Sequence, residues 1–215
     1  MKMYILLAAL ALPGMASAGD FGIEGHGSTL GFGGELDYAV NSYFTARVQF
    51  NRYNYSYSGT KQQIDYDFDL HLKSYAAMLD WHPFAGGFRV TGGYFSNKNQ
   101  IDAVAVPQGS YTINGHTYTA AQVLTLYGTV GFKPDVPYLG IGWTTLGPTD
   151  TGLGFTFDLG ALFQGTPQAN LYATGPITTH AQFKQDLAAE QLKLQDDVNN
   201  YKTYPVISLG ITYRF

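Results

Sequence analysis

Most of the chain alternates apolar and polar residues with a period of two, which predicts β-strands with one apolar and one polar face. The clearest run, residues 43–54, sets Phe44, Ala46, Val48 and Phe50 against Thr45, Arg47, Gln49 and Asn51. Comparable runs cover residues 29–38, 66–81, 88–95, 123–132, 138–144, 153–164 and 204–215, with shorter ones at 20–26 and 168–174. The pattern predicts an all-β fold of antiparallel strands. Alternation alone fits both a water-soluble sandwich and a membrane barrel.

One segment, residues 178–201, has the period of a helix instead. Its apolar residues recur at spacings of three, four and seven, which places them on one helical stripe: Phe183, Leu187, Leu194, Val198 and Tyr201. Thr178 or Thr179 is the predicted N-cap. The segment is too polar to cross a bilayer, so we expect this helix to lie in a loop near the C-terminus.

The N-terminus has the features of a secretory signal peptide, which we assign to residues 1–18. Lys2 is its basic residue, residues 4–12 are apolar, and Ala16-Ser17-Ala18 is a small-residue cleavage site. The apolar run is too short for a membrane helix. The sequence therefore predicts an exported protein whose residues 19–215 form one domain.

Composition distinguishes the membrane barrel from the soluble sandwich. Aromatic residues make up 15% of the chain and charged residues 13%, with 26 glycines and no cysteine. Such a balance suits short strands, tight turns and aromatic girdles at membrane interfaces. The net charge is -4, and about −5 without Lys2 (11 − 16), so there is no basic field for nucleic acid. These observations favour a transmembrane β-barrel in the outer membrane of a Gram-negative bacterium.

Turn lengths predict the number of strands, because such barrels have short periplasmic turns and longer outer loops. Short turns are predicted at 41–42, 82–87, 134–137 and 165–168, and long outer segments at 53–63, 97–122, 145–152 and 174–203. Placing both termini in the periplasm then requires ten strands, including the two short ones at 20–26 and 168–174. If those two are only extensions or loops, the barrel has eight strands.

Two features resemble known outer-membrane proteins. Residues 204–215 end in Tyr213-Arg-Phe215, which resembles the C-terminal signal that barrel-assembly machinery recognises. Pro137-Tyr-Leu-Gly-Ile-Gly-Trp143, following Lys133-Pro134, is similar to a strand of the CarO group. Gly33-Gly34, the 113–118 element, the 165–167 turn and the charged helix match that group too, which shades into OmpW-like small barrels. The resemblance implies a small barrel, and because CarO is discussed as an ornithine-uptake porin, basic amino acids are the implied solutes.

The polar strand faces collect charged side chains that we predict to line the lumen. They are Glu35, Arg47, Asp69, His71, Lys73, Arg89, Asp158 and Arg214. A barrel of eight to ten strands is narrow and filled by side chains, so opposite charges there can form a salt-bridged plug. They can also line a narrow path for small polar or basic solutes. Alternation determines the faces but not which side chains meet.

No residue set predicts an enzyme. Glu24, His26 and Ser28 share a strand face, but such neighbours lie about 6.6–7 Å apart along the strand. A catalytic triad needs hydrogen bonds of about 2.6–3.2 Å. A lipid A-modifying enzyme or a protease is therefore the least favoured class. The sequence also shows no metal or cofactor motif.

The outer loops support one more alternative, a surface-binding or adhesion barrel. Residues 53–57 are rich in tyrosine and residues 97–122 are long and polar, which suits surface recognition. In every version the expected partners are outer-membrane lipid, lipopolysaccharide and the assembly machinery. We expect a monomer that binds no nucleic acid.

Overall fold

The computed structural model describes residues 20–61 and 64–215. The strands are β1 Phe21–Ser28, β2 Gly31–Asn41, β3 Phe44–Lys61, β4 Ile64–Trp81, β5 Phe88–Asn97, β6 Gln100–Pro107, β7 Ser110–Ile113, β8 His116–Thr119, β9 Thr125–Gly131, β10 Asp135–Thr144, β11 Gly152–Leu162, β12 Gln168–Thr174 and β13 Tyr204–Arg214. One α-helix, α1 Ala181–Val198, follows a short 3₁₀ turn at Pro176–Thr179. The predicted signal peptide lies outside the described residues.

Eight strands close an antiparallel barrel, so the predicted barrel fold is confirmed. The ring runs β1, β2, β3, β4, β5, β10, β11 and β13, and β13 pairs with β1 to close it. The preferred count of ten strands is therefore corrected to eight. The short segment at 20–26 is a full barrel strand, whereas the predicted strands at 123–132 and 168–174 lie outside the ring.

Those two strands belong to an extension sheet that continues the barrel wall beyond its mouth. β3 and β4 have 18 residues each, and only the half nearer Phe44 and Trp81 lies in the ring. The far half of β4 pairs with β6, which pairs with β9, which pairs with β12. The predicted loop at 53–63 is therefore largely strand.

Because of the extension, three connections between strands lie at the opposite end of the barrel from the one predicted. The turns at 132–134 and 163–167 link extension strands to barrel strands, so they lie at the mouth rather than at the end that holds the termini. The segment 145–151 joins β10 to β11 at the termini end, although we predicted an outer loop there. Counting turn lengths failed because two strands at the mouth add short turns without crossing the barrel.

The predicted helix is present in the extension, and the 113–118 element belongs to a β-hairpin there. β7 and β8 pair through Asn114 and Gly115, whose φ angles of 47° and 85° are those of a type I′ turn. The helix begins after His180, which makes no side-chain cap, so the predicted capping by Thr178 or Thr179 is wrong. Among the described residues, no helix is long and apolar enough to cross a membrane.

The helix covers the free edge of the extension sheet with two glutamines. Gln195 accepts a hydrogen bond from the Ala169 amide at 2.9 Å and donates to the Pro167 carbonyl at 2.9 Å. Gln191 donates to the Ala169 carbonyl at 3.3 Å and accepts from the Leu171 amide at 3.4 Å. The two side chains, one helical turn apart, replace a neighbouring strand along β12 and protect an edge that could otherwise pair with another chain.

The outer surface of the barrel is apolar around its circumference. Exposed outward-facing residues include Ile23, Phe32, Leu36, Val48, Leu139, Ile141, Phe155, Leu159, Ile207, Leu209 and Ile211. The candidate assembly residues Tyr213 and Phe215 are exposed on the same surface, with ring centroids 5.2 Å apart. The inward positions are polar at the termini end, which inverts the arrangement of a water-soluble barrel.

Candidate functional site

The barrel interior is the candidate site, and Arg47 stands at its centre. This side chain projects inward from β3 and is 4% exposed. Its Nη1 donates to both Glu35 carboxylate oxygens at 3.1 Å, and its Nη2 donates to Asp80 Oδ1 at 3.0 Å and Thr91 Oγ1 at 3.2 Å. Arg47 Nε lies 2.7 Å from Asp80 Oδ2 without hydrogen-bond geometry, so we count that contact as an ion pair. Arg47 thereby joins β2, β3, β4 and β5.

A second ion pair lies beside the first and links β5 to β11 across the inner face of β10. Arg89 donates to the Asp158 carboxylate in a fork, with Nη2 2.9 Å from Oδ1 and 2.8 Å from Oδ2. Gly142, directly opposite both residues on β10, leaves the space for this pair. A Cβ at Gly142 would overlap the carboxylate and lie 2.7 Å from Arg89 Nε. This gives one glycine of the CarO-like strand motif a physical role.

The termini end is closed by a third arginine and a loop. Arg214 donates to the Asp37 carboxylate and to the Pro148 carbonyl. Pro148 lies in the 145–151 connection and is among the fully buried residues, so this loop folds under the lumen. Nearby, the His82 ring lies 3.3 Å from Thr45 Oγ1 and 2.9 Å from the Gly86 carbonyl.

His26 occupies the middle of the lumen in a hydrogen-bonded polar layer. Its Nε2 lies 2.8 Å from Asn51 Oδ1 and 2.8 Å from Gln49 Nε2, and its Nδ1 lies 3.5 Å from Glu24. The two side chains of Glu24 and His26 thus approach more closely than their strand spacing suggested. Ser28 donates instead to the Gly31 carbonyl at 3.0 Å, so the three residues do not form a triad.

An apolar layer closes the lumen on the side of the mouth. Its buried members are Leu30, Ala76, Met78, Phe95, Val136, Tyr138, Leu162 and Val206. The Phe95 and Tyr138 rings lie 5.3 Å apart across β5 and β10. The two cavities within the polar layers have volumes of about 10 Å³ each, room for about one water molecule. The lumen is therefore packed in the polar layers and in the apolar layer.

The structure separates the predicted lumen residues into two groups. Five lie buried inside the barrel: Glu35, Arg47, Arg89, Asp158 and Arg214. The other three, Asp69, His71 and Lys73, lie on the outward phase of β4, so their predicted lumen position is corrected. Leu72 faces inward instead because the lumen is apolar near the mouth, where the polar-inside rule fails.

Three acidic residues of the site, Glu24, Asp37 and Asp80, were absent from the predicted set of lumen residues. Asp80 is fully buried and accepts hydrogen bonds from Arg47 and Thr91. Trp81 faces outward, and successive residues of a strand point to opposite sides, so its neighbour Asp80 must face inward. Asp37 shares the polar face of β2 with Glu35, so the alternation of this strand was sufficient to predict that Asp37 lines the lumen.

Above the apolar layer the barrel mouth contains a larger cavity of about 490 Å³. Its wall is mostly apolar and comes from the barrel rim and the extension: Phe32, Tyr53, Leu70, Leu72, Ile101, Phe132 and Tyr204. Leu30, which is 1% exposed, belongs to the apolar layer beneath it. Among the described residues, no group of three or more acidic or histidine side chains is arranged to hold a metal ion.

Comparison with known proteins supports the fold. No protein-family model and no curated protein sequence matches the chain. The crystal structure of Acinetobacter baumannii CarO is 24% identical, with a TM-score of 0.58 over 90% of this chain and 97% of that chain. The structure of CarO2 from the same organism is 22% identical, with a TM-score of 0.59 over 91% and 98%. The resemblance to the CarO group is thereby confirmed at the level of the fold.

Proposed function

We propose that this CarO-like barrel spans a bacterial outer membrane as a monomer and that its lumen is closed by its own side chains. The apolar outer surface and the paired polar interior support this placement, because a barrel in lipid has no edge strands and exposes apolar residues outward. We place the termini in the periplasm, where Tyr213 and Phe215 serve the assembly machinery. The extension sheet and α1 then lie outside the cell.

The proposal of a closed lumen rests on one observation: side chains fill both the polar layers and the apolar layer of the barrel interior. The polar layers leave cavities of about 10 Å³ each, and the Phe95–Tyr138 layer lies between them and the mouth. The interior arginines hold buried carboxylates in fixed pairs, which is the arrangement of a structural plug. Passage of ornithine or another amino acid would require both layers to rearrange. We therefore assign the barrel a structural role, with no catalytic reaction.

Liposome swelling tests this proposal. Vesicles that contain the refolded chain are diluted into ornithine, arginine or glutamate, with empty vesicles and vesicles that contain a known porin as references. We expect swelling at the rate of empty vesicles. Faster swelling with basic amino acids than with glutamate would replace the structural barrel with a solute channel.

The mouth cavity favours surface recognition through the extension as a second candidate function. Its volume of about 490 Å³ is within the range of small-molecule sites. Leu70 and Ile101 contribute apolar wall from two extension strands. An apolar fluorescent probe should bind the wild-type mouth and lose most of that binding in Leu70→Asp. Equal binding in Leu70→Asp and wild type would remove this candidate.

A further inference from the structure

Three basic side chains form one row across the outer surface of β3, β4 and the residue that follows β5. Arg52 on β3 lies directly opposite Lys73 on β4. The Lys98 amide donates to the Lys73 carbonyl at 2.9 Å just beyond the last β4–β5 pair, which places Lys98 opposite Lys73 on the other side. All three residues are exposed; Arg52 and Lys73 lie on the outward phase of their strands, and Lys98 is the first residue after β5. We call Arg52, Lys73 and Lys98 the cationic row.

The row is electrostatically unfavourable within the protein. Side chains directly opposite each other in an antiparallel pair have Cβ atoms about 4.5–5.5 Å apart, and like charges in that position destabilise the sheet. Among the described residues, no carboxylate lies within 4.0 Å of any basic nitrogen of the row. A bound anion would remove this repulsion.

The acids around the row do not neutralise it. Asp135 lies on the outward face of β10, opposite Ser96, and makes no ion pair with Lys98. Asp102, on the extension side, lies 4.0 Å from His71 Nε2. Asp69 accepts a hydrogen bond from Ser56, further along the extension. The cations therefore remain available to an external partner.

An aromatic pair lies directly below the row. The ammonium groups of Lys73 and Lys98 each lie 5.8 Å from the centroid of the Tyr75 ring, so both converge on one point. Tyr75 packs against Phe50 with ring centroids 5.4 Å apart. Cation–π contact holds the two lysines above this pair, where they can present their charges to the same phosphate.

The height of the row matches the edge of a membrane. Arg52 is eight positions from Phe44, where β3 begins. At about 3.3 Å per residue and a tilt of about 40°, this is about 26 Å of strand and about 20 Å of height, close to the apolar band of such barrels. Between these residues the outward positions of β3 and β4 are apolar or tyrosine. The row therefore lies where lipid headgroups begin.

We propose that the cationic row binds the phosphate groups of a phosphorylated, acylated lipid of the outer leaflet, with its acyl chains against Phe50, Tyr75 and the apolar surface below. Arg52 supplies a planar guanidinium that can form two bonds to phosphate, and the two lysines supply point charges. The proposal rests on the membrane orientation proposed above. It assigns a site to one of the partners expected from the sequence.

The test compares two variants that lose the same charge. The row variant carries Arg52→Gln, Lys73→Gln and Lys98→Gln. The control variant carries Lys184→Gln, Lys193→Gln and Lys202→Gln, which are exposed basic residues on α1 and in the segment between α1 and β13, and which do not belong to the cationic row. Each refolded barrel is titrated in detergent with purified bisphosphorylated lipid A, with enzymatically dephosphorylated lipid A and with inorganic phosphate. Binding is measured by native mass spectrometry.

The wild type and the control variant should bind lipid A equally, and the row variant at least about tenfold more weakly. Dephosphorylated lipid A should bind the wild type about as weakly as lipid A binds the row variant. Equal binding of lipid A by the row and control variants would overturn the proposal. If inorganic phosphate competes at concentrations similar to those of lipid A, the row binds free phosphate and the lipid is not its ligand.

Stability separates a binding row from a structural one and shows whether each variant has folded. In lipid-free detergent, the row variant should keep a heat-modifiable gel band and unfold at the same or a higher urea concentration than the wild type, because repulsion is removed. Earlier unfolding would make the row structural and contradict the proposal. A folded barrel that does not bind lipid A refutes only this inference, whereas solute passage in liposome swelling refutes the closed barrel.

Discussion

Removing Arg47 should be one of the most damaging single changes in the barrel. Its side chain is 3% exposed and that of Asp80 is 0% exposed, so the carboxylates left behind cannot be solvated. Arg47→Ala removes two bonds to Glu35, one to Asp80 and the 2.7 Å ion pair with Asp80. Breaking a buried ion pair by removing one partner costs about 3–5 kcal/mol, much of it from the unpaired charge. Arg47 also lines both small cavities, which the change would join.

Urea unfolding in detergent micelles, followed by tryptophan fluorescence, measures this loss. Lys184→Ala on the exposed face of α1 is the control and should change stability by less than about 0.5 kcal/mol. The variant Arg47→Met with Glu35→Gln and Asp80→Asn should recover much of the loss, because it leaves no uncompensated charge. A loss below about 1 kcal/mol for Arg47→Ala, or no recovery in the triple variant, would refute the buried-charge reasoning.

Three further predictions follow from other contacts. Gly142→Ala should lower stability by about 1–3 kcal/mol in the same assay, because its Cβ overlaps the ion pair beneath it. Gln191→Ala with Gln195→Ala should uncover the edge of β12 and raise the rate of aggregation measured by light scattering, whereas the wild type stays monomeric. Tyr118 donates a hydrogen bond to Asp186 that lowers the pKa of this carboxyl group, so the contact stabilises the extension above the ordinary carboxyl pKa and is lost as pH falls through the lowered native pKa. Hydrogen exchange of residues 110–119, corrected for intrinsic rates, should rise in the wild type only as the pH falls below the ordinary carboxyl pKa, and Asp186→Asn should show the higher exchange already at neutral pH.

The hydrogen bond from Tyr118 to Asp186 should also be lost in strong alkali. Burial and the Asp186 hydrogen bond raise the pKa of Tyr118 to about 12. A group whose native pKa is raised stabilises the fold below its unfolded pKa, here about 10, and that stability is lost as pH rises towards the native value. Tyr118→Phe should therefore remove the alkaline loss of hydrogen-exchange protection. An unchanged profile would contradict this hydrogen bond.

The strands could be predicted from the sequence wherever one face is apolar over a full span. Residues 43–54 and 204–215 show this alternation, and both form barrel strands. The strand count could not be predicted, because β3 and β4 continue past the barrel ring with the same local pattern. Only pairing between distant strands, as in β4 with β6, shows where the barrel ends.

The site could be predicted in part for the same reason. Alternation gave the inward faces of Arg47, Arg89 and Asp158, but not their partners, which come from strands far apart in sequence. The faces near the mouth were inverted, because Leu72 points inward to the wall of the mouth cavity and Lys73 lies on the outer surface. The space that Gly142 leaves for an ion pair is likewise visible only in three dimensions.

The central claim is that packed side chains close the lumen, and single-channel recording tests it most directly. Wild-type barrels in planar bilayers are compared with a variant that carries Arg47→Ala, Phe95→Ala and Tyr138→Ala, which removes side chains from both layers. We predict no discrete conductance steps for the wild type and steps for the variant. Discrete steps from a correctly folded wild type, altered by ornithine or arginine, would contradict the closed lumen and identify a solute channel.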